Sequence, residues 1–149
     1  MITSTNVNIK ILRDGAKLPT YGSEHAAGAD LYACIEVPIT IGPQDTVLVP
    51  TGLAMELPEG CAGLIYARSG LATRKGLAPA NKVGVIDSDY RGEVLVALHN
   101  HTMSPRTIDP GERIAQMVIT PYIIGNFNAV EELDDTDRGE GGFGSTGTL

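Results

Sequence analysis

Asp87 and Asp89 stand at the end of a short apolar run, Val83, Val85 and Ile86, and are followed by Tyr90, Arg91 and Gly92 in the stretch Gly84 to Glu93, GVIDSDYRGE. An apolar strand that breaks into Asp-Ser-Asp-Tyr sets carboxylates at a strand-to-turn junction, where packed residues hold the backbone and a carboxylate can face a pocket. That is a place for a general base. Taken alone, the same residues are ordinary turn formers, so the rest of the chain must decide between the two readings.

Other stretches offer groups suited to an anion. ARSGLA, Ala67 to Ala72, supplies the forked donor of Arg68, then the hydroxyl of Ser69 and the amide of Gly70 at an expected helix start. As an isolated pattern it is equally a helix cap. AGADLYA, Ala27 to Ala33, sets Asp30 between small residues at a strand start, where a lone acid is most simply a turn residue. PGERIAQM, Pro110 to Met117, leads from a turn into a strand and puts Gln116 on the face of Ile114 and Val118. A polar side chain on an apolar face needs a partner, either a core backbone group or a ligand. Near the C-terminus, RGEGGFGSTG sets Arg138, Phe143, Ser145 and Thr146 among glycines, giving amides, hydroxyls and a guanidinium close access to phosphate oxygens.

The elements that must position these groups are short strands. Val7 to Leu12 alternates, with Val7, Ile9 and Ile11 on one face, and meets a turn at Arg13-Asp14-Gly15. From Pro19 onward, glycine and proline recur too often for long helices. Between them lie ADLYACI, TVLVP, GLAMEL, CAGLIYA, EVLVALHN and RIAQMVITPY, rich in Val, Ile, Leu and Thr. Such a pattern indicates an all-β sandwich or closed barrel. One short helix is expected over Ser69 to Lys75, capped by Ser69 and ended by Gly76. No repeat period is present. After Phe127 the composition turns acidic and then glycine-rich, and a flexible tail is expected there.

With 149 residues, the chain suits a single domain. A net charge of -7 argues against a nucleic-acid polymer or an anionic membrane as partner, since both are bound through excess Lys and Arg. A small anion remains open if cationic groups gather locally. Cys34 and Cys61 sit inside apolar runs with no metal or disulfide spacing, and read as small buried hydrophobes in a reducing cytoplasm. No run reaches the length of a membrane span, and the N-terminus lacks a signal-like apolar core. His25, His99 and His101 have no ligand spacing. A P-loop, a GxSxG elbow and a dinucleotide fingerprint are all absent from the sequence.

In their order along the chain, Ala27 to Ala33, Ala67 to Ala72, Asn81 to Glu93, Pro110 to Met117 and Arg138 to Gly147 resemble the five motifs of the trimeric dUTP pyrophosphatases, the dUTPases. Joint chance agreement of GVIDSDYRGE, PGERIAQM and RGEGGFGSTG is very small. One departure is Ala67, where many members carry a proline. The resemblance implies an all-β, distorted β-barrel or jelly-roll-like subunit with one short helix, assembled as a homotrimer whose active sites are shared between subunits. It divides the chain into a barrel over 1–136 and a glycine-rich tail over 137–149 that closes over an active site.

The implied reaction is Mg²⁺-dependent hydrolysis of dUTP to dUMP and pyrophosphate, which limits uracil incorporation into DNA and supplies dUMP for dTMP synthesis. Carried onto this sequence, Asp87 is the base that activates water for attack on the α-phosphorus. Asn81 and the strand backbone of Gly84, Val85 and Ile86 read the uracil edge, and Tyr90 packs beneath the deoxyribose. Arg68, Ser69, Gly70 and Gln116 hold the phosphates. From the tail, Arg138 pairs with the γ-phosphate, Phe143 covers the uracil, and Gly144, Ser145 and Thr146 add contacts. Asp30 lies near the waters of a Mg²⁺ held mainly by the triphosphate. The rival readings are a dCTP deaminase of the same fold, which would attack a base carbon and release ammonia, and a non-catalytic trimeric binding protein, which would bind nucleotide without turnover.

Overall fold

The computed structural model describes residues 4–142. Its strands are β1 (Asn8–Ile11), β2 (Thr20–Tyr21), β3 (Ala29–Tyr32), β4 (Ile39–Ile41), β5 (Thr46–Glu56), β6 (Cys61–Tyr66), β7 (Leu77–Pro79), β8 (Gly84–Ile86), β9 (Glu93–Asn100), β10 (Arg106–Ile108) and β11 (Arg113–Pro121). They form a sheet in the order β1-β5-β9-β7, a second in the order β2-β3-β11-β6-β8, and the pair β10-β4. Every pairing is antiparallel. The result is an all-β fold, as the short strands predict, and is consistent with the distorted barrel of jelly-roll type that the family resemblance implies.

The period of two that marks these strands also builds the core. In β9 the inward row is Val94, Val96, Leu98 and Asn100, all buried, while Glu93, Leu95, Ala97 and His99 turn outward. Leu31, Ile41, Val49, Leu53, Leu77, Ile108 and Ile114 meet that row from the other strands. Each such buried aliphatic side chain contributes roughly 1.5 to 3 kcal/mol relative to exposure. Asn100 ends the row with a polar group, yet its amide donates to the carbonyls of Ile41, Gly42 and Ser104, and its oxygen accepts from Thr102. A buried amide so fully paired ties β4 and the 102–104 loop to the end of β9.

Several local expectations differ from the structure. TVLVP and GLAMEL form one strand, β5, because Pro50 and Gly52 fall where its pairing with β9 shifts register between Pro50 and Ala54. The irregularity takes up a residue lacking an N–H and a left-handed one, Gly52 at φ 72°. Val7, just before β1, and Ile9 within it pack partly against the core, but Ile11 is exposed. The expected helix is one wide turn, Leu71–Lys75, ended as expected by Gly76 at φ 66°. No side chain caps it; instead the Ser69 carbonyl accepts from the Thr73 hydroxyl at 2.7 Å. Cys34 is buried, Cys61 is half-buried, and both are free thiols. After Pro121 no strand follows among the described residues.

Candidate active site

The second sheet carries most of the residues singled out in the sequence. Asp30 on β3, Gln116 on β11 and Tyr66 at the end of β6 stand in one row across three neighbouring strands. Asp30 is buried, and both of its carboxylate oxygens are taken by arginines. Oδ1 accepts from Nε of Arg68 at 2.7 Å, and Oδ2 from Nη1 of Arg113 at 3.2 Å. The acid is thus the anchor of a small cationic cluster. Arg68 is held by its Nε, which leaves the two Nη groups of its fork without a partner among the described residues.

Gln116 finds a backbone group: its Nε2 donates to the carbonyl of Ala67 at 2.9 Å, tying β11 to the segment that carries Arg68. Its Oε1 lies against Gly28, where a Cβ would collide with it. The face of Gln116 differs from the simple alternation. Ile114 and Ala115 are both fully buried in the core, because a bulge between Arg113 and Ala115 shifts the register. Beyond it Met117 points inward, and Gln116 and Val118 share the opposite, half-buried face. The same bulge brings Arg113, unnoticed in the sequence, to Asp30. Ser69 and Gly70 follow Arg68 at the start of the wide turn and are exposed.

The carboxylate stretch lies at the other end of the same sheet. β8 pairs with β6 through Gly84–Ile65, Val85–Leu64 and Ile86–Gly63, and the chain then turns, with the Tyr90 amide donating to the Asp87 carbonyl. The apolar strand does end at the carboxylate, as the sequence predicts. Asp87 and Tyr90 are exposed and line a cleft of about 160 Å³ with Val85, Ile86, Glu93 and Leu95. Asn81 is also exposed, and its amide lies beside Gly84, where a Cβ would come within 3.3 Å of it. The Tyr90 hydroxyl donates to the backbone carbonyl of Glu93 at 3.1 Å. Glu93 itself receives a two-toothed grip from Arg13, Nε to Oε1 at 2.8 Å and Nη2 to Oε2 at 2.9 Å, and the Gly52 amide at 2.9 Å. Those hydrogen bonds outweigh desolvation and hold the Glu93 carboxyl below the ordinary glutamate value. Glu93 closes the GVIDSDYRGE stretch and Arg13 opens a predicted turn, but no motif or spacing marked their pairing.

Register separates these two groups within one chain. Gln116 faces Tyr66, whereas Ile86 faces Gly63. At 3.3 Å per residue the two points lie about 10 Å apart along β6, and Arg68 and Asp87 extend beyond them in opposite directions.

The described part of the tail contacts itself: Nε of Arg138 donates to the Gly141 carbonyl at 2.7 Å, and the Gly139 amide to Thr136. Phe143, Gly144, Ser145 and Thr146 lie outside the described residues. Leading to the tail, Ile123, Ile124 and Phe127 are 96%, 76% and 98% exposed.

A family model described as dUTPase matches residues 14–147. A deoxyuridine 5'-triphosphate nucleotidohydrolase of Desulfitobacterium hafniense is 52% identical over 149 residues, covering 98% of this chain and 99% of its own. Among solved structures, the Staphylococcus bacteriophage 80alpha dUTPase with dUPNHPP superposes with a TM-score of 0.88 at 27% identity, over 97% of this chain and 99% of that one. A mutant dUTPase of S. aureus phage phi11, which coordinates a structural Mg(II) ion, shares the fold with a TM-score of 0.79 at 22% identity, over 88% and 100% of the two chains.

Proposed function

Because the chain belongs to the dUTPase family, we infer how its residues divide the work of hydrolysing dUTP to dUMP and pyrophosphate. Asp87 is the general base, accepting a proton from the water that attacks the α-phosphorus. Its place at the end of β8, exposed in the cleft that also holds Tyr90, is the observation that carries this reading. The backbone of Gly84, Val85 and Ile86, with Asn81 beside Gly84, reads the uracil edge. Reading of this kind rejects cytosine by leaving polar groups unpaired, at about 1 to 3 kcal/mol per group. Tyr90 fills the volume that a 2′-hydroxyl would need.

Arg68, Ser69, Gly70 and Gln116 bind the phosphates, and the free Nη groups of Arg68 suit that contact. Gln116 gives its amide protons to Ala67 and the phosphate chain together. Arg138 takes the γ-phosphate, and Phe143, Gly144, Ser145 and Thr146 close the site from the tail, which we set at 137–149 after a domain of 1–136. Mg²⁺ would be held mainly by the triphosphate itself. The fit is chemical: no cluster of three His, Cys, Asp or Glu among the described residues offers a protein cage, and Asp30 keeps lone pairs for the metal's waters after meeting its two arginines. When bound, the ion neutralises part of the phosphate charge. An acidic chain can then hold a tetra-anion with local cations.

We further infer a homotrimer with shared sites. The opposed ends of β6 support it, since within one chain Asp87 and Arg68 extend in opposite directions from points about 10 Å apart. Apolar Ile123, Ile124 and Phe127, bare in a single chain, are suited to burial against another. No nucleic-acid polymer or membrane is required as partner. No helix among the described residues is long and apolar enough to cross a membrane, and the two free thiols suit the cytoplasm we propose for it. Pyrophosphate release assayed on dUTP, dTTP, dCTP and UTP tests the assignment. Turnover confined to dUTP is expected, and ammonia release from dCTP would overturn it.

A further inference from the structure

We propose that the Arg13–Glu93 pair is a positioning device for Tyr90, and through it for selection of deoxyribose over ribose. The proposal rests on the reading of Tyr90 as the wall beneath the sugar. Its own ground is the geometry at the first residue of β9. Glu93 is held there by its side chain, through both guanidinium contacts from Arg13 and the Gly52 amide, while its carbonyl takes the Tyr90 hydroxyl. One residue further, the Val94 carbonyl accepts from the Thr51 hydroxyl at 2.7 Å. The start of β9 is therefore clamped to the irregular stretch of β5, and the ring of Tyr90 hangs from the clamped point.

The supports of the clamp are themselves fixed. The Gly52 carbonyl accepts from the Leu12 amide at 2.8 Å, which sets the residue just before Arg13. A Cβ on Gly52 would stand 2.7 Å from Cβ of Ala16 and 2.9 Å from Sγ of Cys34, so the backbone there has no room to drift. Arg13 is 51% exposed and Glu93 17%. Exposed ion pairs add little to stability, so the value of this one lies in where it puts a backbone carbonyl. A two-toothed guanidinium–carboxylate contact fixes direction as well as distance, which an ammonium does not.

Arg13 does not line the cleft, whereas Glu93 does, so loosening the pair from the Arg13 side frees the carbonyl that holds the Tyr90 hydroxyl and lets the ring retreat while the cleft lining stays intact. Steric exclusion is sensitive to sub-ångström retreat of the wall, whereas binding of the smaller sugar is not. Arg13→Met and Glu93→Gln should each lower the ratio of kcat/KM for dUTP over UTP by about tenfold, chiefly by raising the UTP value. Arg13→Lys should recover part of the ratio.

The test is a double-mutant cycle with Tyr90→Ala, with melting temperature recorded for every variant. If Arg13 acts through Tyr90, Arg13→Met changes the ratio in the wild-type background and leaves it unchanged in the Tyr90→Ala background. A narrowed ratio in Tyr90→Ala with an unchanged ratio in Arg13→Met and Glu93→Gln overturns the positioning role and leaves Tyr90 as the wall. An unchanged ratio in Tyr90→Ala overturns the wall and the positioning role with it. A lower melting temperature with no change of ratio marks the pair as structural only. Should Arg13→Met fail to fold, the isosteric Glu93→Gln carries the same comparison.

Discussion

The Nε of Arg68, just past the end of β6, donates to Oδ1 of Asp30 on β3 at 2.7 Å, reaching across β11, which lies between those two strands. The proposed phosphate arginine is thus aimed before substrate arrives, and Arg113 on the other carboxylate oxygen completes the balance. Asp30→Asn keeps the shape and removes the charge that two guanidiniums share. With Asp30 11% exposed and Arg113 51%, the loss should fall below the roughly 3 to 5 kcal/mol of a fully buried pair, at about 1 to 3 kcal/mol. Kcat/KM for dUTP should fall about tenfold through misplacement of Arg68. Steady-state kinetics and thermal melts check both effects; unchanged values would show that neither arginine depends on the acid.

Asp87→Asn should lower turnover by roughly 10² to 10⁴ while nucleotide binding persists, since only the proton acceptor is lost. Refolding this variant with Arg138→Ala in equal amounts then tests sharing. If base and tail arginine come from different chains, random mixed trimers hold both in about a quarter of their sites under three-fold symmetry. Activity near a quarter of wild type is expected. Activity no higher than the average of the two variants alone, with mixed trimers confirmed by mass, would place both residues in one chain.

Removing residues 137–149 should leave assembly and melting temperature nearly unchanged. The hydrogen bonds of the described part of that tail run within it and to its immediate neighbour Thr136. Activity should collapse with the loss of Arg138 and Phe143. Sedimentation and pyrophosphate release measure the two halves of this expectation, and a fully active truncated enzyme would contradict it.

Acid should weaken the fold in two steps. Burial, with His99 and Lys82 nearby, lowers the His101 value from its ordinary 6.5, and the contacts from Arg13 lower that of Glu93 from 4.5. A depressed folded-state value means that the unfolded chain binds more protons, so stability is present above the ordinary value and is lost as pH falls through the folded one. Melting temperatures from pH 8 to about 3 should show His101→Asn flattening the slope below 6.5, and Glu93→Gln flattening it below 4.5. Slopes unchanged by either substitution would remove these groups from the account.

What was legible in the sequence was local. The apolar run ending in Asp87 is a strand and a turn because alternation and turn chemistry are settled within a few residues. Gly76 ends its turn for a similarly local reason. Long-range register was not legible. Arg113 reaches Asp30 only because the β11 bulge breaks the alternation, which also buries Ile114 and Ala115 side by side. Arg13 and Glu93, separated by 80 positions, meet because β5 joins β1 to β9. Pro50 and Gly52 looked like a break between strands, and the pairing irregularity that absorbs them has no sequence mark of its own. The family motifs reached further than periodicity, since Asp30, Arg68 and Gln116, taken from three of them, do meet on the second sheet.

Gly92 leaves open the space that the Tyr90 ring fills. A Cβ there would stand 2.5 Å from Cζ of Tyr90 and 2.9 Å from Cε2, so no side chain can enter while the ring holds its seat. A side chain at position 92 and the seated ring therefore exclude one another, and a larger residue there would unseat Tyr90. With Tyr90 as the wall beneath the sugar, such a variant would accept ribonucleotides: the choice of sugar depends on a gap left open two residues away.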